Sequence, residues 1–198
     1  MQIGIIQTII LDKFNLYIDK IDLNFWRELC TKEGKLRSYK KGEYFLHRGD
    51  IPKYFGFIAQ GYFEYSVIDT DGNSNITGFA FCNTLVGDYY GSVKKMPSLT
   101  DVIAVKNSEV WICNNNIISA LIENNNEMFR VFSEELFHEA HKRYLELYQK
   151  SPKERYIDLI QRIPSILQDI TLKELASYLQ ITPTYLSRIR KEITFGKK

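Results

Sequence analysis

Apolar positions recur along this chain in three textures. Through residues 1 to about 33 they follow spacings of three and four, at Ile6, Ile9, Ile10, Phe14 and Tyr17. Phe25, Trp26 and Leu29 then continue behind Asp22, a candidate N-cap. This stretch predicts helices. From Leu36 to Cys113 the pattern shortens to β-like runs: KLRSY, EYFLHRG, YFGFIAQG, YFEYSVID, NITGFAFCN and VIAVKNSEVWIC. Gly42, Gly49, Gly61 and Gly72 punctuate them, and Asp69-Thr70-Asp71-Gly72 is a hairpin signal because the turn needs a positive φ. Closely spaced strands with no helical run among them predict an antiparallel sandwich or barrel, not a parallel α/β sheet.

Around Ile117 the helical period returns. Ile118 to Lys150 contains no glycine or proline. Phe129, Phe132, Leu136, Ala140, Tyr144 and Leu147 make one stripe, and Val131, Phe137, Leu145 and Tyr148 add a second apolar edge. A helix apolar on two sides buries one side on the β domain, and the other is expected to meet a second copy of itself. Packing within a single chain is the alternative. Ser151-Pro152 ends or bends this helix and marks a domain boundary. Lys153 to Gln161 opens a further amphipathic helix (Tyr156, Ile157, Leu159, Ile160) that stops at Ile163-Pro164.

The stretch Thr171 to Lys191 carries the clearest functional pattern. Thr171 with Glu174 three residues on is a capping box, and Leu172, Leu175, Ala176 and Leu179 follow at helical spacing. Thr182-Pro183 starts a second helix with a hydroxyl cap and a proline at the first position. Leu186 and Ile189 leave a narrow apolar stripe, so Thr184, Tyr185, Ser187, Arg188 and Lys191 point elsewhere. Two short helices, tightly joined and cationic on the second, suit a helix-turn-helix reading a DNA major groove.

Charge separates that reading from a helical hairpin with a merely solvated face. From Ser151 onward there are nine Lys or Arg against five Asp or Glu, a net of +4, while the remaining 17 and 19 give −2. Thr182 to Lys198 holds five basic residues and Glu192 alone. A local basic patch is what phosphate neutralisation requires; the overall charge of +2 is too small for the whole surface to serve.

Composition excludes other classes. With 198 residues and 44% hydrophobic content, the chain can bury a core of one or two domains. Cys30, Cys82 and Cys113 are odd in number and lack C-x-x-C spacing, which fits a reducing compartment and no zinc or iron–sulfur site. The apolar amino terminus has no basic region or cleavage site and is too short to span a bilayer, so a cytoplasmic location with no membrane partner is expected. His138 and His141, three apart, lack a completing carboxylate or cysteine, and His47 stands alone near a turn. Scattered histidines do not make a cupin-like enzyme, so no catalytic residues, metal or cofactor are assigned.

A β-roll, a long helix and a terminal helix-turn-helix together resemble the Crp–Fnr family of transcription regulators. The resemblance runs from about Leu36 to Lys191. It is carried by ELASYLQITPTYLSRIRK, Leu-Ser-Arg-Ile above all, and by Gly42-Glu43, Gly49-Asp50, Phe57-Ile58-Ala59-Gln60-Gly61 and Asp69-Thr70-Asp71-Gly72 in family order. It implies an α+β chain with an antiparallel β-roll (jelly-roll) sensor over 1–116, a long dimerisation helix over 117–150 and a DNA-binding domain over 151–198. The implied partners are double-stranded DNA, a second copy as homodimer, and RNA polymerase. Arg188 falls where the family places an arginine that reaches guanine O6 and N7. Thr184 is the next base contact, while Thr182, Tyr185, Ser187, Arg190 and Lys191 position the backbone. Pro183 stands where some relatives carry a base-reading side chain, and little sequence follows Ile193 for a terminal β-wing.

The implied effector pocket departs from the family pattern. Cyclic-nucleotide binders carry Gly-Glu-Leu followed by Arg-Ser-Ala; this chain has Val86-Gly87-Asp88-Tyr89-Tyr90-Gly91, then Pro97-Ser98-Leu99-Thr100-Asp101. Gly87 is kept, Asp88 is a shortened acid, and Ser98 stands at the arginine position. A buried phosphate without that cation and beside Asp101 costs several kcal/mol. Lys94 and Lys95 precede the turn but are read as solvated. Cyclic AMP sensing is therefore disfavoured, and the pocket (Gly87, Asp88, Tyr89, Tyr90, Ser98, Leu99, Thr100) is left to an unknown small molecule, stacked on Tyr89 or Tyr90, or to none. The alternative function is a ligand or protein-interaction module with a non-functional DNA-binding domain.

Overall fold

A computed structural model of the chain describes residues 14–124, 126–164 and 166–196. The helix expected around Ile6, Ile9 and Ile10 lies outside them. Leu16–Lys20 is a single 3-10 turn, and α1 (Leu23–Glu33) follows it. Asp22 does cap α1, its side chain accepting from the Phe25 N–H at 3.0 Å.

Eight strands make the roll: β1 (Lys35–Tyr39), β2 (Tyr44–Leu46), β3 (Tyr54–Gln60), β4 (Tyr62–Ile68), β5 (Ser74–Phe81), β6 (Leu85–Val86), β7 (Asp101–Ala104) and β8 (Ser108–Asn114). They form two antiparallel four-stranded sheets, ordered β1-β8-β3-β6 and β2-β7-β4-β5. Alternate side chains turn inward between the sheets, where Ile58, Phe63, Val86, Val102 and Val110 are almost wholly buried. Each such side chain contributes roughly 2 kcal/mol by leaving water. The β4–β5 hairpin pairs from Tyr62 opposite Phe81 to Ile68 opposite Ser74, its register shifting by one residue between Tyr65 and Ser66. Its turn is the expected one: Gly72 has φ 82°, and Asp69 Oδ1 accepts the amides of Asp71 and Asn73.

The structure corrects the strand reading in three places. VIAVKNSEVWIC divides into β7 and β8. Strand β6 is two residues long, too short for an alternation to announce it. A helix, α2 (Tyr89–Lys94), does intervene among the strands, yet the sheets remain antiparallel because α2 spans only six residues and links no parallel pair.

Beyond the roll come α3 (Asn116–Asn124), α4 (Asn126–Gln149), α5 (Pro152–Arg162), α6 (Ile166–Asp169), α7 (Leu172–Tyr178) and α8 (Pro183–Phe195). From Ile118 onward α3, and the whole of α4, fall within the stretch from Ile118 to Lys150 that the apolar period marked as helical. Ser151 does more than end α4. It caps α5 in a reciprocal box with Glu154, with Pro152 at the first helical position. The short helix α6 has no forerunner in the apolar pattern.

Two further apolar clusters join the layers. Trp26, Cys30, Phe55, Phe57, Cys113, Ile118 and Phe129 pack α1, α3 and α4 on the outer face of the first sheet. The other is continuous across two parts of the chain: Tyr62, Phe79 and Phe81 of the second sheet share it with Tyr156, Leu159, Ile163, Leu175, Leu186 and Ile189 of the terminal helices.

Candidate nucleic-acid interface and sensor element

The terminal pair is built by its caps. Thr171 Oγ1 accepts the Glu174 amide at 3.2 Å, and Glu174 Oε2 accepts the Thr171 amide at 2.6 Å. Helix α7 is capped at Leu179, and Gln180 takes a left-handed conformation (φ 57°), which reverses the chain into Thr182. Thr182 Oγ1 accepts the Tyr185 amide at 3.1 Å and Pro183 opens α8. Leu186 and Ile189 are fully buried and seat α8 on α7.

That seating decides what α8 presents. Thr182, Thr184, Arg188 and Lys191 are exposed; Tyr185, Ser187 and Arg190 are half-buried at the edge of the same face. The Arg188 guanidinium lies over the Tyr185 ring, 4.9 Å from its centre. This leaves its fork of donors outward on a long side chain held partly in place. Glu192, the lone acid of α8, is turned away: Lys153 of α5 donates to its Oε2 at 3.0 Å. Among the described residues, Arg188, Arg190 and Lys191 have no ion-pair partner. The expected interface residues thus share the outward side of α8, which among the described residues carries three basic side chains without an ion-pair partner.

The expected effector residues are not brought together in that way. Gly87 has φ 148° and lies against Phe55, a close approach that suits a residue without a side chain. Both of its backbone groups are already engaged: its N–H donates to Tyr65 Oη at 3.2 Å, and its carbonyl accepts from the same hydroxyl at 3.1 Å. Asp88 caps α2, with Oδ1 accepting the Gly91 amide at 2.8 Å. Ser98 is 2% exposed and its hydroxyl donates to the Thr100 carbonyl at 2.9 Å. Thr100 is half-buried and Leu99 is 76% exposed.

The two tyrosines leave the pocket as well. Tyr89 packs on the long helix, its ring 4.7 Å from that of Phe132 and its hydroxyl 2.6 Å from Ser133 Oγ. Tyr90 faces solvent. Neither offers a stacking platform inside the roll, because successive positions of α2 are about 100° apart, and one ring is taken by α4 while the other stays in solvent.

Tyr65 was missed by sequence reasoning. It is one of several strand tyrosines, and nothing in its spacing says that its hydroxyl reaches 22 residues along the chain. Burial pushes that hydroxyl up to about 12, so it stays protonated and can keep donating to Gly87. Asp101 lies nearby, accepting the Arg48 amide at 2.8 Å and facing His47 Nδ1 at 4.0 Å. Lys94 and Lys95 are exposed, as expected. His141 stacks on Phe137 along the long helix, their ring centres 5.7 Å apart, and among the described residues no set of three His, Cys, Asp or Glu is grouped as a metal site. Among the same residues no helix is long and apolar enough to cross a membrane.

Residues 36–125 match the cyclic nucleotide-binding domain family. No curated protein matches the chain. Among solved structures it is similar to FixK2 of Bradyrhizobium japonicum, with a TM-score of 0.70 and 16% identity over 82% of this chain and 85% of that one. CLP of Xanthomonas campestris, a c-di-GMP responsive global regulator, gives a TM-score of 0.65 and 11% identity over 87% and 92%. The catabolite activator protein of Thermus thermophilus gives 0.53 and 16% over 86% and 83%. At these identities the likeness establishes a shared fold, an antiparallel roll with helices behind it.

Proposed function

We propose that this chain, a cyclic nucleotide-binding domain within the fold of Crp–Fnr regulators, is a homodimeric DNA-binding transcription regulator that does not answer to cyclic AMP. The observation that carries the reading is the outward face of α8. Thr184, Arg188 and Lys191 project from a helix anchored by Leu186 and Ile189, and among the described residues the positive charges of Arg188 and Lys191 have no ion-pair partner. Arginine in that setting can donate two parallel bonds to guanine, and the lysine and hydroxyls can take phosphates.

Dimerisation is supported by α4. Phe137, Tyr144 and Tyr148 are 71%, 55% and 75% exposed and recur along one edge of a 24-residue helix. A second copy on that edge would cover them and set two α8 helices about a two-fold axis, as a symmetric operator requires. Indifference to cyclic AMP is supported by the closed turns at Gly87 and Ser98, and by Asp101 where a phosphate would need a cation. A cytoplasmic location and contact with RNA polymerase follow from the same reading.

The test is selection of bound duplexes from a random pool, with Arg188→Ala beside the wild type. Enrichment of a two-fold symmetric sequence that the variant loses is the expected result. Failure of the wild type to enrich any duplex, with and without cell extract, overturns the DNA reading and leaves a ligand or protein-interaction module.

A further inference from the structure

The terminal pair hangs from α4 through the Ser151-Pro152 break, so its attitude depends on what ties it to the other layers. Part of that tie is to the roll. The Ile76 N–H of β5 donates to Ser177 Oγ at 2.9 Å, and the Tyr178 ring centre lies 5.9 Å from that of Phe79. A single side chain of the long helix reaches into the same contact. Arg143 Nη2 donates to the Phe14 carbonyl at 3.2 Å and to Asn15 Oδ1 at 3.0 Å, and it pairs with Glu139 one turn earlier. Its guanidinium carbon stands 5.3 Å from the Phe14 ring centre and 5.8 Å from that of Tyr178.

The partners of Arg143 are themselves held. Phe14 meets Tyr178 at 5.1 Å, Phe79 at 5.5 Å and Phe81 at 5.4 Å, and Asn15 Nδ2 donates to the Phe79 carbonyl at 2.9 Å. The Tyr17 N–H donates to Glu139 Oε2 at 3.0 Å, so the ion pair is clamped at its acid end too. Four parts of the chain converge here: the N-terminal strap, the roll, the long helix and the terminal pair.

A cluster of rings alone tolerates a slide of one layer over another, because dispersion and burial are not directional. A guanidinium beside a carboxylate that is only 7% exposed does not, since a small shift leaves buried charge and carbonyl oxygens unpaired. We infer that Arg143 is a positioning residue that fixes the terminal helical pair relative to the long helix, with Phe14 and Asn15 as the strap that closes the contact. Its importance for DNA rests on the reading of α8 as the recognition helix. Through it, the state of the strap reaches α8 without any change on the reading face.

Limited trypsin digestion of the full chain tests the contact without DNA, because cutting at Lys150, Lys153 or Arg155 requires the junction to open. Arg143→Gln and Phe14→Ala should each speed that cleavage by at least about fivefold, and the double variant should be cut clearly more slowly than the product of the two single effects predicts, since the two share the guanidinium–ring contact. Trp26 and Trp111 fluorescence should be unchanged, as neither residue lies in the altered cluster. Arg143→Lys keeps the charge beside Glu139 but not the fork and should give only partial protection. Wild-type cleavage of Arg143→Gln, full additivity, or complete protection by Arg143→Lys would each overturn the positioning role. If Arg143→Gln fails to fold, Arg143→Lys and Phe14→Leu carry the same comparison.

Affinity for the duplex selected by the wild type gives the second readout. Variants with a loosened junction should lose about tenfold or more while keeping the wild-type order of preference among operator variants. Faster cleavage with unchanged affinity overturns the positioning role. If the wild type itself selects no duplex, the DNA reading fails, and the digestion still decides the contact.

Discussion

The Glu174 carboxylate serves two parts of the fold at once: Oε2 accepts the Thr171 amide at 2.6 Å and the Tyr62 hydroxyl at 3.4 Å. The residue that starts α7 therefore also touches the roll, and the Tyr62 hydroxyl is held well above its usual range by burial and then by Glu174. Glu174→Ala should cost about 1–2 kcal/mol in urea denaturation, mostly from the lost cap. Glu174→Gln, which can still accept the Thr171 amide, should lose well under half of that. Tyr62→Phe should cost less than about 1 kcal/mol, because a 3.4 Å bond is a weak one. A larger effect for Tyr62→Phe than for Glu174→Ala would reverse this ordering.

On α8, Arg188 and Lys191 should separate by kind of contact. Arg188→Lys keeps the charge and loses the fork, so it should cost about 1–3 kcal/mol on the selected duplex and relax preference at one base pair. Lys191→Ala should weaken all duplexes alike and flatten the plot of log affinity against log salt by about one unit. Fluorescence anisotropy across a salt series measures both, and identical behaviour of the two variants would refute the assignment.

Ser98 gives a prediction about the sensor. Restoring the family cation with Ser98→Arg places a guanidinium where the native residue is 2% exposed and bonded to Thr100. The expected outcome is a loss of about 2 kcal/mol or more in stability and no cyclic AMP binding by calorimetry. Tight binding by that variant would mean that Ser98 alone closes the pocket and that Tyr65 does not.

Glu64 gives the pH dependence. It sits half-buried on β4, and burial, with Glu174 next, raises its carboxyl above the ordinary value while Lys173 opposes this. Asp169 is raised too, by burial, against Lys106. A carboxyl that is raised in the folded state has its full stabilising contribution below the unfolded value and loses it as pH rises through the folded one. Glu64→Gln should accordingly raise the urea midpoint near pH 8 and leave it unchanged below about pH 4. An equal gain at both ends would rule out the carboxyl as the cause.

Phe137→Glu with Tyr148→Glu tests the long helix. Both side chains are exposed within one chain, so the fold should survive while self-association is lost. Sedimentation velocity should show a monomer, and affinity for a two-fold symmetric duplex should fall by about a hundredfold or more as linked half-sites separate. A dimer that persists would place the interface elsewhere.

Local chemistry was enough to announce the elements that depend on neighbours in sequence. The Thr171–Glu174 box, the Thr182-Pro183 start, the Asp22 cap and the Asp69–Gly72 turn are all contacts within a few residues, and each stands where its residues imply. The alternating runs also disclosed the antiparallel roll, and the apolar stripe on α8 left Arg188 and Lys191 outward, because burial of Leu186 and Ile189 dictates the rest of the helix. Family order supplied the departure at Ser98. What sequence could not disclose depends on distance along the chain. Tyr65 reaches Gly87, Tyr89 turns to Ser133, and Arg143 gathers Phe14, Asn15 and Tyr178 from opposite ends of the chain. No periodicity encodes such pairings, since each side chain obeys its own strand or helix and the partner is chosen by how the layers stack. The short α6 belongs with them: its local preference is weak, and packing decides.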